Sequence, residues 1–210
     1  MTKRPTFDRQ FFDAPSLEIA PLLLGAVLRH STPEGTVAVR LTEVEAYLGE
    51  ADPGSHAYRG PGKRNAVMYG ESGHLYTYFT YGMHVCANVT CSPAGTASAV
   101  LLRGAEVIEG IEYARVRRRT SKADADLARG PARLVVALGI SLAHGGADLA
   151  APPFELTLPP HPLPFETGPR TGVSGAGGSR DYPWRFWLPG ERSVSPYRAH
   201  LPKKRPAHPA

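Results

Sequence analysis

The sequence predicts a single α+β domain built on a mainly antiparallel sheet. Its 210 residues are enough for one domain with a substantial core, and 42% of them are hydrophobic, as in ordinary globular proteins. Stretches that resemble strands cluster along the chain without the strand–helix alternation of a parallel sheet. Because the chain contains 22 glycines and 21 prolines, we expect many loops and short elements rather than a helical bundle.

Apolar periodicity and helix-end signals predict three helices, over residues 16–28, 106–119 and 130–140. The first begins at Ser16, which can cap it, and Pro21 should kink or shorten it. The last has Pro131 in its first turn and Gly139 just past its end, the usual positions of these residues in a helix. Residues 1–12, which precede the first helix, are expected to form a loose arm.

Runs of β-branched, aromatic and apolar residues predict the strands. Residues 97–103 are continuously apolar, which is typical of a central strand. Residues 74–90 are two such runs on either side of Gly82, and they predict a hairpin. The remaining predicted strands are 36–47, 154–158 and 184–188, and the Gly-rich stretch 170–180 is predicted to be a loop.

The formal net charge of +5 indicates an anionic partner, but most of it comes from the end of the chain. Residues 197–210 contain no acid and four cations, namely Arg198, Lys203, Lys204 and Arg205; without them, 20 basic and 19 acidic residues remain. We therefore expect a nearly neutral domain over 1–196 and a disordered basic tail over 197–210. A nucleic-acid surface on the domain must be a local patch, such as 59–65, or 115–119 if that run is not simply a solvated helix face.

Cys86 and Cys91 are five residues apart and therefore lie on opposite faces of a strand, which disfavours a disulfide or a shared metal. We expect both to be buried, reduced thiols of an intracellular protein, located in a bacterial cytoplasm or in a nucleus. No apolar run follows the basic start of the chain, so no signal peptide is expected. The longest apolar stretch, 19–28, is too short to span a bilayer, so we expect no membrane association.

The strand predicted over 36–47 has an unusual face. Its alternate residues begin apolar and end in two acids and a tyrosine: Val37, Val39, Leu41, Glu43, Glu45 and Tyr47. In one interpretation the strand leaves the core, and both glutamates are solvated. In the other, a carboxylate lies at the rim of a dry pocket, where it would suit a general base or a partner for developing positive charge.

Several stretches, taken together and in order, are similar to one known family: EVEAYLG, DPGSHAYRG, RNAVMYG, GHLYTYFTYGMHVCANV, AVLLRGAEVIEGIE, ARGPARLVVALGI and RTGVSG. They resemble the alkyladenine (3-methyladenine) DNA glycosylases, also called methylpurine glycosylases, over roughly residues 11–190. The resemblance implies a compact domain with a curved antiparallel sheet, surrounding helices and a protruding hairpin that enters the DNA minor groove. It also implies hydrolysis of the N-glycosidic bond of alkylated or deaminated purines, with no lyase activity and no cofactor.

The resemblance carries catalytic and pocket roles to particular residues. Glu45 matches the general base that activates water, and His56 and Arg103 match residues that border that water and the backbone of the flipped nucleotide. Tyr47, His56 and Tyr78 match the walls that sandwich the base. Because no His or carboxylate lies at a usable spacing from His56, we expect no metal site there.

The remaining roles concern the purine edge and the DNA. Asn88 matches the residue that tests the purine edge and would clash with a 2-amino group, so guanine lesions should be poorer substrates than adenine lesions. Tyr81 matches the side chain that fills the gap left in the duplex, and Met83 lies on the same wedge. The loop with Arg59, Lys63 and Arg64 is the candidate for backbone contacts, although it reads PGKRN where the family usually has RTPRN.

The expected partner is double-stranded DNA containing damaged purines, and the protein is expected to be a monomer. Two alternatives from other classes stay open. The first is a catalytically silent nucleic-acid-binding module with the same wedge, against which the presence of Glu45 argues. The second is a carbohydrate hydrolase that uses Glu43 and Glu45, which strand geometry places about 7 Å apart, and against which the hairpin argues.

Overall fold

The structure is a computed structural model that describes residues 7–80 and 82–200. In this part of the chain, three short α-helices accompany one eight-stranded antiparallel sheet, which confirms the predicted α+β class. The helices are α1 (Ser16–Leu22), α2 (Ile111–Arg117) and α3 (Pro131–Leu138). The strands are β1 (Val27–Thr32), β2 (Gly35–Tyr47), β3 (Leu75–Thr80), β4 (His84–Cys91), β5 (Ser98–Glu109), β6 (Phe154–Thr157), β7 (Glu166–Gly168) and β8 (Arg185–Trp187).

The long strand β2 organises the sheet, because three strands pair with it. Its first half pairs with β1 and its second half with β8, while β5 runs along its other edge. The main strand order is β3-β4-β5-β2-β1-β6, with β7 beside β8. Helix α3 packs on β4 and β5, and α1 packs on β2, so the apolar core lies on one face of the sheet.

The pairing of β2 with β5 is irregular around Glu43. The register shifts on both sides of this residue, which leaves Thr42 on β2 and Arg103 on β5 without a ladder partner. An extra residue in a ladder turns the side chains that follow it to the opposite face. Accordingly, the core residues of β2 change from Val37, Val39 and Leu41 before the shift to Val44 and Ala46 after it. The single continuous face predicted for this strand is wrong, since the acids are turned away from the core.

Several element predictions are confirmed. The strands predicted over 36–47, 97–103, 154–158 and 184–188 are present, as is the hairpin of β3 and β4. Helix α3 begins at Pro131 and is followed by Gly139 at a φ of +74°. Cys86 and Cys91 are free and buried, as expected. They lie on opposite faces of β4, because Cys91 belongs to the core and Cys86 lines a cavity on the other side.

The predictions for the N-terminal region are wrong in two places. Residues 7–13 are not a loose arm, because Phe7 and Phe12 are buried in edge-to-face contact and Arg9–Asp13 forms a short 3₁₀ helix. Residues 1–6 lie outside the described residues. The helix predicted over 16–28 ends at Leu22, one residue after Pro21, and the chain then enters β1, which pairs with β2 and β6. Pairing with two neighbouring strands outweighs the local helical pattern.

The helix predicted over 106–119 is also wrong at its start. Residues up to Glu109 continue β5, because they remain paired with β2 as far as Ala38. Helix α2 begins only after Gly110. Of the predicted tail, residues 201–210 lie outside the described residues, whereas the carbonyl oxygen of Arg198 accepts a hydrogen bond from the backbone N–H of Gly172. In the described part of the chain, no helix has both the length and the apolar character needed to cross a membrane.

Gly110 gives a test of the turn between β5 and α2. It has a φ of +67°, and a Cβ atom there would lie 2.0 Å from the carbonyl oxygen of Thr36. Gly190 has a similar φ of +77°, but nothing lies within 4 Å of a Cβ there. We expect Gly190→Ala to lower the free energy of unfolding by about 1–2 kcal/mol through φ strain alone. Gly110→Ala should cost about 1–3 kcal/mol more, because the backbone must move. Urea denaturation measures both, and equal losses would contradict the described turn.

Candidate functional site

A cavity of about 310 Å³ opens on the face of the sheet that points away from the core. Its floor is a row of cross-strand neighbours on β3, β4, β5 and β2, namely Tyr76, Asn88, Leu101 and Glu45. Residues 53–56 and 171–174 form loops along its sides. The cavity therefore collects residues that are far apart in the sequence, and the irregular register of β2 brings Glu45 and Tyr47 into it.

Glu45 is fully buried and is held by three groups. The Tyr47 hydroxyl donates to its Oε2 at 2.9 Å, and the backbone N–H of Thr171 donates to its Oε1 at 2.7 Å. Arg103 places Nη1 3.4 Å from the same Oε1. Because both Glu43 and Glu45 are 0% exposed, the interpretation of two solvated glutamates is wrong. The geometry fixes the orientation of the Glu45 carboxylate at the floor of the cavity.

Glu43 has a different environment: its carboxylate oxygens accept four hydrogen bonds, and it does not line the cavity. Its Oε1 accepts from the Nε atoms of Arg103 at 2.7 Å and Arg185 at 2.6 Å, and from the Ser195 hydroxyl at 2.9 Å. Its Oε2 accepts from the backbone N–H of Ser195 at 2.7 Å. A carbohydrate hydrolase needs two carboxyl groups that can both reach the substrate. Glu43 is not available for that role, because both its oxygens accept hydrogen bonds from the protein and its side chain does not line the cavity.

Arg103 joins the two carboxylates. It is the residue left over in the β5 ladder, and it lines the cavity while bonding Glu43 through Nε. Although burial alone would lower the pKa of its guanidinium, the carboxylates of Glu45 and Glu43 raise it above the ordinary value. Arg103 is therefore a permanent positive charge between two buried negative charges.

Tyr47 forms one wall, and a buried ion pair supports it from behind. The guanidinium of Arg170 lies 4.5 Å from the centre of the Tyr47 ring and makes two hydrogen bonds to Asp52, at 2.5 and 2.7 Å. This pair ties the loop after β2 to the loop that contains Thr171. Burial and the charge of Glu45 raise the pKa of the Tyr47 phenol, so its hydroxyl stays protonated as the donor to Glu45.

His56 and Tyr78 form the opposite wall, next to Tyr76 of the floor. Nδ1 of His56 lies 3.0 Å from the Tyr76 hydroxyl, and its ring stands perpendicular to the Tyr78 ring with centroids 4.5 Å apart. Although His56 is exposed at the cavity mouth, its packing against these rings, together with the charge of Arg64, lowers its pKa to about 4. Burial raises the pKa of the Tyr78 phenol. Both walls are therefore uncharged at neutral pH.

Asn88 lies on the floor between the two walls and is 4% exposed. Its Nδ2 donates to the carbonyl oxygen of Tyr76 at 3.1 Å, which turns the amide oxygen away from that carbonyl. Cys86 also lines the cavity, and burial raises the pKa of its thiol. Among residues 7–80 and 82–200, no three His, Cys, Asp or Glu side chains are close enough together to hold a metal ion.

The hairpin tip and the neighbouring loop lie beside the cavity. Met83 is 70% exposed, so this side chain does not fold back into the core, while Tyr81 lies outside the described residues. Arg64 donates to the carbonyl oxygen of Phe79 and lies 5.6 Å from the centre of the Tyr78 ring, which attaches the loop to the hairpin. Arg59 and Lys63 are exposed.

Comparison with known proteins identifies the family. A family model for methylpurine-DNA glycosylase matches residues 10–192. The chain belongs to the methylpurine-DNA glycosylase family. It is 68% identical over 197 residues to a protein of Leifsonia xyli subsp. xyli, covering 91% of this chain and 92% of the relative. A Streptomyces avermitilis protein is 54% identical over 207 residues, with 96% of each chain covered. Both are named "Putative 3-methyladenine DNA glycosylase".

These matches confirm the resemblance found in the sequence. The family consists of DNA glycosylases, which hydrolyse N-glycosyl bonds in DNA repair, and its substrate is DNA. The structure brings the predicted residues Glu45, Arg103, Tyr47, His56, Tyr78 and Asn88 of this glycosylase to one cavity. His56 contacts Tyr76 and Tyr78. The groups that hold Glu45 are Tyr47, Thr171 and Arg103.

Sequence reasoning missed several residues that shape the site of this glycosylase. The sequence predicts for Glu43 either exposure to solvent or a role as a catalytic acid, and it predicts no role for Asp52, Arg170, Thr171 or Ser195. Arg170 and Thr171 open the stretch RTGVSG, which carried part of the resemblance, but nothing in its composition indicates contact with β2. Thr171 also has a buried hydroxyl without a hydrogen-bond partner among the described residues, an unused donor beside Glu45.

The environment of His56 predicts an unusual titration for this glycosylase. We expect its ring to titrate near pH 4, because the protonated form loses hydration in the aromatic packing. The neutral form is favoured in the folded state, so the stability it contributes is complete above about pH 6.5, the ordinary His value, and falls as the pH drops towards 4. NMR of labelled histidine measures the titration. Arg64→Gln should move it upwards, whereas titration near 6.5 in the wild type would contradict the described packing.

Proposed function

We propose that this chain removes alkylated and deaminated purines from double-stranded DNA with a water molecule that Glu45 activates. The observation that carries the proposal is the position of Glu45, a buried carboxylate fixed by three groups at the floor of a cavity with aromatic walls. The reaction needs the damaged nucleotide to leave the stack and enter such a cavity. The product is an intact abasic site.

The aromatic walls suit a cationic base. Purines methylated at N3 or N7 carry a positive charge, and an aromatic face attracts a cation by about 0.5–2 kcal/mol. Tyr47 on one wall and Tyr78 on the other present such faces, and the low pKa of His56 keeps that residue from repelling the charge. A cationic base is also a good leaving group, so 3-methyladenine requires little help from an acid.

Glu45 acts on the sugar side of the bond. Cleavage of the N-glycosidic bond develops positive charge on the sugar, as in glycoside hydrolysis, and a nearby carboxylate stabilises that charge. The same carboxylate accepts a proton from the attacking water. Arg103 and the backbone N–H of Thr171 hold the carboxylate in place for both roles.

Water is the proposed nucleophile, because a lyase needs an amine that forms a Schiff base with the sugar. Of the chain's lysines, Lys63 is the one near the motifs, and its side chain is exposed on the loop beside the hairpin rather than in the cavity lining. The exposed position of Lys63 supports the proposal of a monofunctional enzyme.

The DNA backbone has a suitable path beside the cavity. A second groove of about 420 Å³ shares Arg103 and Thr171 with the cavity and is also lined by Arg129, Arg133 and Arg198. Phosphates bind such a cluster of cations. We place the strand of the flipped nucleotide in this groove. Tyr81 and Met83 at the hairpin tip then fill the vacated space, and the loop with Arg59, Lys63 and Arg64 faces the duplex.

Asn88 is the proposed test of the purine edge. Its amide is buried and fixed by the carbonyl oxygen of Tyr76, so it cannot easily move aside for a 2-amino group. Lesions of adenine should therefore be released faster than those of guanine. One copy of the chain supplies every residue of the proposed site, and we propose that it acts as a monomer inside the cell, where the DNA is.

Glu45→Gln tests the proposal, because it keeps the shape of the side chain and removes the negative charge. We expect release of 3-methyladenine from methylated duplex DNA to fall by about 10²–10⁴-fold. Single-turnover assays with enzyme in excess measure this rate. Glu50→Gln is the matched control, because Glu50 is an exposed acid outside the cavity and its loss should leave the rate unchanged. Tight binding to damaged DNA without release by the wild type would instead favour the silent binding module.

A further inference from the structure

The segment 193–195 lies beyond the region that the family model matches, which ends at residue 192. It nevertheless packs on the strands that carry the site. The hydroxyl of Ser193 lies 2.9 Å from that of Thr42 on β2, and the carbonyl oxygen of Val194 accepts a hydrogen bond from Arg129. Ser195 donates to Glu43 through both its backbone N–H and its hydroxyl. The segment is thus bonded to the irregular part of β2, and Ser195 lines the second groove beside the cavity.

Glu43 is the centre of these contacts. It is fully buried, and its four donors are two guanidinium groups and the two groups of Ser195. A second contact closes the cluster, because Nη2 of Arg185 donates to the carbonyl oxygen of Ser195 at 2.7 Å. The charges of Glu43 and Glu45 are matched by those of Arg103 and Arg185. A buried carboxylate so completely bonded is a rigid anchor.

The anchor determines how Arg103 faces the cavity. Because Nε of Arg103 bonds Glu43, the plane of its guanidinium is fixed, and its closest approach to Glu45 is that of Nη1, at 3.4 Å. If Glu43 were absent, the guanidinium would be free to rotate and pair with Glu45 through two parallel hydrogen bonds. Such a pair would occupy the carboxylate oxygens that water and the sugar need.

We propose that Glu43, completed by Ser195, is a positioning residue that holds Arg103 in a one-point contact with Glu45 and keeps the Glu45 carboxylate accessible. The segment 193–195 is then part of the support of the active site, not merely a terminal extension. The inference rests on the proposed function of Glu45 and Arg103, and it adds a role for Glu43, which lines neither the cavity nor the second groove.

A double-mutant cycle tests this role with single-turnover release of 3-methyladenine from duplex DNA by the full chain. We expect Glu43→Gln to reduce the rate by about 100-fold, the effect of misplacing a catalytic group by about 1 Å. Because Glu43 acts through Arg103, Glu43→Gln combined with Arg103→Met should be no slower than Arg103→Met alone. A general loss of structure would instead lower the rate in both backgrounds. Affinity for the same DNA should change less than threefold in Glu43→Gln.

Thr42→Val is the matched control. It lies beside Glu43 and removes a contact to the same segment, at the Ser193 hydroxyl, without touching Arg103. We expect it to lower the melting temperature and leave the release rate within twofold of the wild type. Ser195→Ala removes one of the four donors to Glu43. Because one hydrogen bond contributes about 1 kcal/mol, we expect this change to slow release by about fivefold in the wild-type background. In the Arg103→Met background it should not change the rate.

The outcomes separate this inference from the proposed function. A wild type that releases no purine would overturn the proposed function itself. If the wild type releases the purine, two results would overturn only the positioning role. One is a release rate of Glu43→Gln within twofold of that of the wild type. The other is a double variant in which the rate losses of Glu43→Gln and Arg103→Met multiply. If Glu43→Gln does not fold, Ser195→Ala decides in the same two backgrounds, and equal rates for Ser195→Ala and the wild type would overturn the role.

Discussion

Two carboxylates are buried two residues apart on one strand, and the whole site depends on how their charges are balanced. Neither could remain ionised away from water without partners. Arg103 and Arg185 supply the matching positive charges, and Ser195 completes the bonding of Glu43. This arrangement separates the two acids by function. Both carboxylate oxygens of Glu43 accept hydrogen bonds from Arg103, Arg185 and Ser195, four bonds in all. Glu45 lines the cavity and makes three contacts, of which that with Arg103 is the longest.

The irregular register of β2 and β5 makes this separation possible. A regular ladder would continue the face of Val37, Val39 and Leu41, and Glu45 would then point into the apolar core. Thr42 and Arg103 have no partner in the ladder of β2 and β5. At these two neighbouring positions, the side chains that follow on each strand turn to the opposite face of the sheet. The ion pairs of Glu43 with Arg103 and Arg185 form at this interruption of the ladder. Bulges next to active sites are common for this reason, since they redirect a few side chains without changing the rest of the sheet.

The sequence indicated a good part of this architecture. The strand at 36–47 and the hairpin followed from β-branched and aromatic runs, and Pro131 with Gly139 marked both ends of α3. The shortening of the first helix that Pro21 predicts is present, but the strand β1 that follows it and the extension of β5 could not be predicted, because pairing with distant strands decides them. The pocket residues came from a family resemblance rather than from periodicity. The anchoring of Glu43 by Ser195 spans 152 positions of the chain, and no local pattern indicates such a contact.

In the proposed reaction, the negative charge of the Glu45 carboxylate stabilises the sugar of a flipped nucleotide as positive charge develops on it. Duplexes that carry a pyrrolidine or a tetrahydrofuran ring at the abasic position have nearly the same shape, but only pyrrolidine is cationic like the sugar in the transition state. We predict that the wild type binds the pyrrolidine duplex at least tenfold more tightly than the tetrahydrofuran duplex, and that Glu45→Gln abolishes this preference. Equal affinity of the wild type for the two duplexes, or a preference that survives in Glu45→Gln, would contradict the account.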